Sequence, residues 1–494
     1  VSIKLKKIKY PKIFVLITTI VLLYILLLIP SDDNPILPAG NKKPFIWNQN
    51  EVWSNLETEF VKAKTDGCAK IKIHMDSLFT NSEKVLNQIS ASTLPPTDEK
   101  FKILENFIFM TAALIPVCDQ YFSNYVDFYS KLRKIVKEQS RNWDMNSTIA
   151  RNTIYRLLYG NRTAIEEIML QLPKDKVMPL IKGIDEPSQT PSTEILGVEV
   201  HSGDILVSRG GAPTSALIAR GNDYPGNFSH IALVYINEKN KAISIIESHI
   251  ERGVVISSLD EYLKDTKLRI MVLRLRSDIL QADPMLPHRA SEFALNEAKQ
   301  KHIPYDFEMD FNEFEKQFCS EVASSAYKKF GITLWTGLSN ISSKGARNWL
   351  AAFGVKYFET EEPSDLEYDP KLSVVAEWRD PETLYKDHLD NAVTDVMLEE
   401  ADSGKSLSYK WYLLPIGRVT KLYSMILNLF GLVGPVPEGM SAEAALKNME
   451  YSETHERIKD KLIVLALQFK TQNGYTPPYW DLVNLARRGC EEIN

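Results

Sequence analysis

The stretch Asn227-Phe228-Ser229-His230-Ile231-Ala232-Leu233-Val234-Tyr235-Ile236 decides how this chain is read. Its β-branched and aromatic residues make a strand from His230 to Ile236. The polar run Asn237-Glu238-Lys239-Asn240 follows, then a second β-rich run from Lys241 to His249, so the two form a hairpin. Register decides what His230 meets. A loop centred between Glu238 and Lys239 sets Glu247 directly across from it, and a loop centred one residue later sets His249 there instead. Glu247 and His249 are two apart and share a face. A carboxylate beside an imidazole raises its basicity and fixes its tautomer, which a thiol-activating base requires. A glutamate on the solvent face of a strand is the plainer alternative.

Further β-rich runs lie on either side, at Asp204 to Ser208 and Arg269 to Leu275, with helical stretches near 288–301 and 319–330. Strands clustered between helices predict an α+β domain with a mainly antiparallel sheet over 197–353. In Gln317-Phe318-Cys319-Ser320-Glu321-Val322-Ala323 a loop turns into a helix at Cys319. The unpaired first-turn amides of a helix favour a thiolate, and a histidine held beside such a cysteine makes it a nucleophile. Otherwise a cysteine is a small buried hydrophobe. Asp204, in Gly203-Asp204-Ile205, reads as a turn or capping residue. Tyr305, in Pro304-Tyr305-Asp306-Phe307, is either a hydrogen-bond donor to a substrate or oxyanion, or a packed aromatic. Of the other three cysteines, Cys68 and Cys118 either form a disulfide in an oxidising space or stay as two thiols, and Cys490 reads as inert.

At 494 residues the chain is long enough for two or three domains. A net charge of −6, with no long basic stripe beyond the N-terminus, excludes nucleic acid as the main partner. Lys4, Lys6, Lys7, Lys9 and Lys12 precede an apolar run from Ile13 to Ile29, and the run ends without a small-residue cleavage pattern. Residues 1–30 are therefore expected to be an uncleaved signal anchor, with the membrane as a partner through 13–29 and the rest of the chain outside the cytoplasm. Residues 31–48 read as a linker, 49–184 as a helical domain and 370–494 as a mostly helical C-terminal region. Within the last, the apolar run Leu422 to Leu432 is either a membrane-surface segment or a buried core helix.

In order along the chain stand Gly203-Asp204-Ile205, Ser229-His230-Ile231-Ala232-Leu233-Val234, Ile245-Ile246-Glu247, Arg252-Gly253-Val254, Pro304-Tyr305-Asp306-Phe307 and Phe318-Cys319-Ser320-Glu321. This series resembles the circularly permuted papain-like amidases, relatives of the NlpC-type cell-wall peptidases and of lecithin retinol acyltransferase. The resemblance covers roughly 197–335 and implies a permuted papain-like domain flanked by the two helical regions. It implies Cys319 as nucleophile, His230 as base and Glu247 as the group that orients the base; Tyr305 and His249, read from the residues themselves, are the accessory candidates. Phe318 departs from the pattern, where a tyrosine is expected.

The expected activity is cysteine-dependent hydrolysis of an amide bond in a peptide or cell-envelope substrate, with no cofactor. Two alternatives remain open: acyl transfer or lipid ester or thioester cleavage by the same three residues, and a catalytically silent envelope scaffold. Zinc held by His230, His249 and Cys319 has suitable ligand types but lacks the paired short spacings of structural sites, so no metal is expected.

Overall fold

The computed structural model describes residues 10–29 and 42–493. Lys4, Lys6, Lys7 and Lys9 and most of the expected linker lie outside these residues. Helix α1 (Tyr10–Leu27) covers the apolar run, with Ile13 to Leu26 exposed. Among the described residues no helix is long and apolar enough to cross a membrane, so the expected spanning anchor over 13–29 is not supported.

Helices α2 (Asn50–Asp66), α3 (Cys68–Ser90), α4 (Glu99–Leu114), α5 (Phe122–Ser140) and α6 (Thr148–Gln171) build the N-terminal bundle. Its starts are set by side chains: Asp98 accepts from the Lys100 amide to begin α4, and Ser147 accepts from the Ala150 amide to begin α6. Cys68 and Cys118 are joined in a disulfide that ties the start of α3 to the turn before α5.

A seven-stranded antiparallel sheet follows, in the order β1-β11-β8-β4-β5-β6-β7. Its strands are β1 (Leu180–Lys182), β4 (Ile205–Gly210), β5 (His230–Ile236), β6 (Ile243–His249), β7 (Gly253–Ser257), β8 (Lys267–Leu275) and β11 (Leu372–Trp378). Two short ladders flank it, β2 (Ser192–Ile195) with β3 (Val198–His201), and β9 (Ser339–Asn340) with β10 (Glu359–Thr360). Helices α7 (Pro213–Arg220), α8 (Leu259–Lys264), α9 (Leu286–Gln300), α10 (Cys319–Lys329) and α11 (Lys344–Phe353) fill the connections. The predicted α+β class is the one found. The region from 370 differs from its mostly helical reading at the outset, because Leu372–Trp378 pairs with β8 as a strand of the sheet.

Helix α12 (Pro381–Asp402) packs on α7 and α15 (Tyr479–Ile493), with α13 (Leu414–Leu429) and α14 (Ala442–Asn473) completing the C-terminal part. The alternative of a buried core helix over 422–432 is corrected: Leu422, Met425, Ile426, Leu429 and Leu432 are exposed. Helix α13 lies beside α1, where Arg418 Nη1 donates to Leu27 O at 3.0 Å and Tyr24 Oη donates to the Tyr412 carbonyl at 2.9 Å.

The three parts are fastened by buried ion pairs. Glu166 of α6 receives Arg269 of β8 and Arg379 after β11, and its Oε2 lies 3.3 Å from His388 Nε2 of α12. Asp387 of α12 pairs with Arg209 and Arg269. Asp204 is a turn residue as expected, accepting from the His201 amide, and it also holds Arg274 through both carboxylate oxygens.

Candidate active site

The hairpin register is the second of the two possibilities. Ala232 pairs with Glu247 and Ile236 with Ile243, so Glu247 sits diagonally from His230 and not directly opposite it. The diagonal is still within side-chain reach. His230 Nε2 lies 2.8 Å from Glu247 Oε2, and His249 Nε2 lies 3.2 Å from Glu247 Oε1. Ser257 of β7 donates to the same Oε1 at 2.7 Å. Glu247 is 1 % exposed. Burial alone would raise its pKa, but the bonds from His230 and His249 hold the carboxyl well below the usual range. It is an anion wedged between two imidazoles.

Cys319 reaches this place through a chain of backbone contacts. Gly253 has φ +66°, and a Cβ there would stand 2.1 Å from the Ile303 carbonyl oxygen, so only glycine lets that carbonyl come close. The Val254 amide then donates to Ile303 O at 2.9 Å, and the Gln317 amide donates to Pro304 O at 2.9 Å. Ser248 Oγ donates to Gln317 O at 2.6 Å, which pins the residues before α10 against β6. Glu321 accepts from the Phe318 amide at 2.9 Å, fixing the first turn of α10. Burial, with Asp306 and Glu361 nearby, pushes Glu321 up to about 10, so this first-turn acid is held neutral.

The thiol therefore lies against the backbone on both sides of His230. Its Sγ is 3.9 Å from the Ser229 carbonyl oxygen, and the Ile231 amide is close enough to favour its anion. With Nε2 turned to Glu247, Nδ1 is the imidazole nitrogen that does not face the carboxylate. Cys319 is 5 % exposed, and burial pushes its thiol up to about 12. The Ile231 and Ser320 amides favour the anion, while nearby Glu362 opposes it. Burial wins over the helix start, and the sulfur rests protonated. His230 is likewise driven below its usual value by burial, with Glu247 opposing, so it rests neutral near pH 7.

Tyr305 stands close enough to Cys319 to feel a thiolate there, and its ring packs edge-on against Phe307 at 5.0 Å. His249 belongs to the Glu247 cluster, not to the thiol. Cys319 is not brought together with the two histidines as a ligand set. The donor atoms that converge are those of His230, Glu247 and His249, all within 4.8 Å of one another, which are ligand types that suit zinc. Sequence reasoning did not single out Ser257, Ser229, Glu362 or Glu321. Only Glu321 had a usable mark, its position three residues after Phe318, the residue that caps the helix start.

Residues 199–376 match the permuted papain-like amidase family, YaeF/YiiX type, C92. The match ends within β11 and so covers the sheet apart from β1 and the last two residues of β11. The metalloprotein yiiX from Escherichia coli O157:H7 is similar at 19 % identity, over 36 % of this chain and 97 % of its own, with a TM-score of 0.29. No curated protein matches the chain. The permuted papain-like region thus accounts for the order His230, Glu247, Cys319 along the sequence.

Proposed function

We propose that the permuted papain-like region is a cysteine hydrolase acting on an amide bond, with Cys319 as nucleophile and His230 as base. The observation that carries this reading is the thiol's position against the Ser229 carbonyl and Ile231 amide, while the intervening imidazole is fixed through Nε2 by buried Glu247. His230 Nδ1 takes the thiol proton as sulfur attacks the carbonyl carbon. The oxyanion is held by the Cys319 amide and one further N–H. The C–N bond breaks as the imidazolium protonates the leaving amine. Water, deprotonated by His230, then adds to the thioester, the C–S bond breaks, and the proton returns to sulfur. Proton transfer coupled to attack suits a thiol that rests protonated.

Cys319→Ala tests this. The variant should keep the wild-type unfolding profile and lose both amide hydrolysis and covalent capture of an acyl group. Capture that persists in the variant sinks the assignment.

A second reading, hydrolysis or transfer of a lipid acyl group, draws on the apolar surface formed by α1 and α13. Ile416, Val419, Leu422, Ile426 and Leu429 are exposed beside the exposed face of α1. Such a surface lies in a lipid headgroup layer without crossing it. The Cys68–Cys118 disulfide supports a location outside the cytoplasm. Comparing amine release from muropeptides with fatty-acid release from phospholipid vesicles separates the two substrates.

A further inference from the structure

A second cavity, of about 240 Å³, lies where the N-terminal bundle, the loop before β5 and the C-terminal helices meet. It shares no lining residue with the Cys319 site. Its walls are aromatic: Trp47, Trp53, Phe109, Tyr159, Tyr475 and Trp480. Trp53 and Trp480 stack at 5.6 Å with their planes 7° apart. Faces of this kind attract cations through the ring quadrupole.

The charges around it are unbalanced. Glu57 and Glu167 line the cavity, and neither is paired with a lysine or arginine among the described residues. Glu57 accepts from Tyr475 Oη at 2.5 Å, and Glu167 accepts from the Tyr479 amide at 2.9 Å, with His388 Nδ1 at 3.9 Å. Asp481, beside Glu57, is pushed up to about 6 by burial and by that neighbour. The nearby cations already have partners. Arg220, itself on the wall, binds Asp395 through both oxygens, and Lys64 donates to Gly474 O with its Nζ 5.4 Å from the Tyr475 ring centroid. His388 Nε2 faces Glu166. At the cavity wall Asn227 is 3 % exposed, and its Oδ1 accepts no hydrogen bond. A buried acceptor without a donor is costly unless something supplies one.

We propose that this cavity binds a small organic ammonium ion with an apolar body. The rings take the body and the face of the cation, the two carboxylates supply the charge, and an N–H of the ammonium fills Asn227 Oδ1. The volume lies just below the range of drug-sized pockets, which fits a body of about one ring.

Calorimetry on the full chain with benzylamine, benzyl alcohol and phenylacetate tests it. Benzylamine should bind saturably, benzyl alcohol about tenfold more weakly, and phenylacetate not at all. Glu57→Gln combined with Glu167→Gln should weaken benzylamine about tenfold while leaving benzyl alcohol unchanged. Cys319→Ala should bind as the wild type does, which keeps this site separate from the hydrolase reading. Equal binding of the amine and the alcohol overturns the proposal, as does tighter binding of phenylacetate or no saturable benzylamine binding. The comparison of the three probes needs no variant, so a misfolded mutant does not rescue it.

Discussion

His230 and Glu247 are joined at 2.8 Å although the strands that carry them pair Glu247 with Ala232. The contact is a diagonal across the hairpin. It leaves the space directly beyond β5 to the residues that start α10, and it turns Nε2 toward the carboxylate and Nδ1 away from it. The orientation of the His230 imidazole thus depends on one buried anion.

Glu247→Gln tests that dependence. An amide at the same place donates as well as accepts, so it no longer selects one imidazole tautomer, and the negative charge that stabilises the imidazolium is gone. The expected result is a fall in kcat of about a hundredfold or more, with KM nearly unchanged. A loss of binding with intact kcat contradicts the positioning role.

The pH profile follows from the two resting states. His230 must be neutral to accept a proton, and burial lowers its pKa below the usual histidine value. The acid limb of kcat/KM should therefore fall with a midpoint below about 6.5. The thiol is pushed up to about 12, so no rise marking free thiolate should appear between pH 7 and 9. Iodoacetamide, which needs the thiolate, should label Cys319 slowly at pH 7 and much faster above about pH 10. Fast labelling at neutral pH means that burial does not control this sulfur.

These residues show what could be read from sequence. The strand at His230, the helix start at Cys319 and the shared face of Glu247 and His249 follow from period and composition. The choice of register did not, because two loop centres one residue apart are equally compatible with Asn237-Glu238-Lys239-Asn240. The thiol's protonation also escaped, since a helix N-terminus is visible in sequence and the depth of burial is not. Strand β11 is not legible in the sequence as part of this sheet, because it follows a long Pro/Asp/Glu-rich segment and pairs across about a hundred residues with β8. Likewise an apolar run such as Leu422 to Leu432 looks the same whether it is buried or, as in α13, exposed.

The three donors His230, Glu247 and His249 make metal dependence testable. In this geometry His230 Nε2 is hydrogen-bonded to one Glu247 oxygen, and His249 Nε2 lies 3.2 Å from the other. Dialysis against EDTA should leave hydrolysis unchanged. Added zinc should inhibit, because binding takes the imidazole from its task, and His249→Ala should reduce that inhibition by removing one ligand. Activity lost on chelation and restored by zinc reverses this reading.

Glu166 is the strongest stability test. Its carboxylate is fully buried and held well below the usual range: burial opposes ionisation, but Arg269, His388 and Arg379 outweigh it. It joins α6 to β8, to the end of β11 and to α12, so the bundle, sheet and C-terminal helices share one anion. Glu166→Gln keeps the shape and takes one of two carboxylates from each of two buried arginines, leaving Arg269 with Asp387 and Arg379 with Glu377. Removing one partner of a buried pair costs about 3–5 kcal/mol, more than most point changes. The midpoint of chemical unfolding should drop accordingly, and the loss should be greater than that of Glu399→Gln, whose pair with Arg487 is exposed. Because the folded carboxyl titrates below its unfolded value, its contribution is full above about pH 4.5 and is lost as pH falls through the folded pKa. The gap between wild type and Glu166→Gln should therefore narrow in acid. A gap that stays constant down to pH 2 assigns the loss to packing and not to charge.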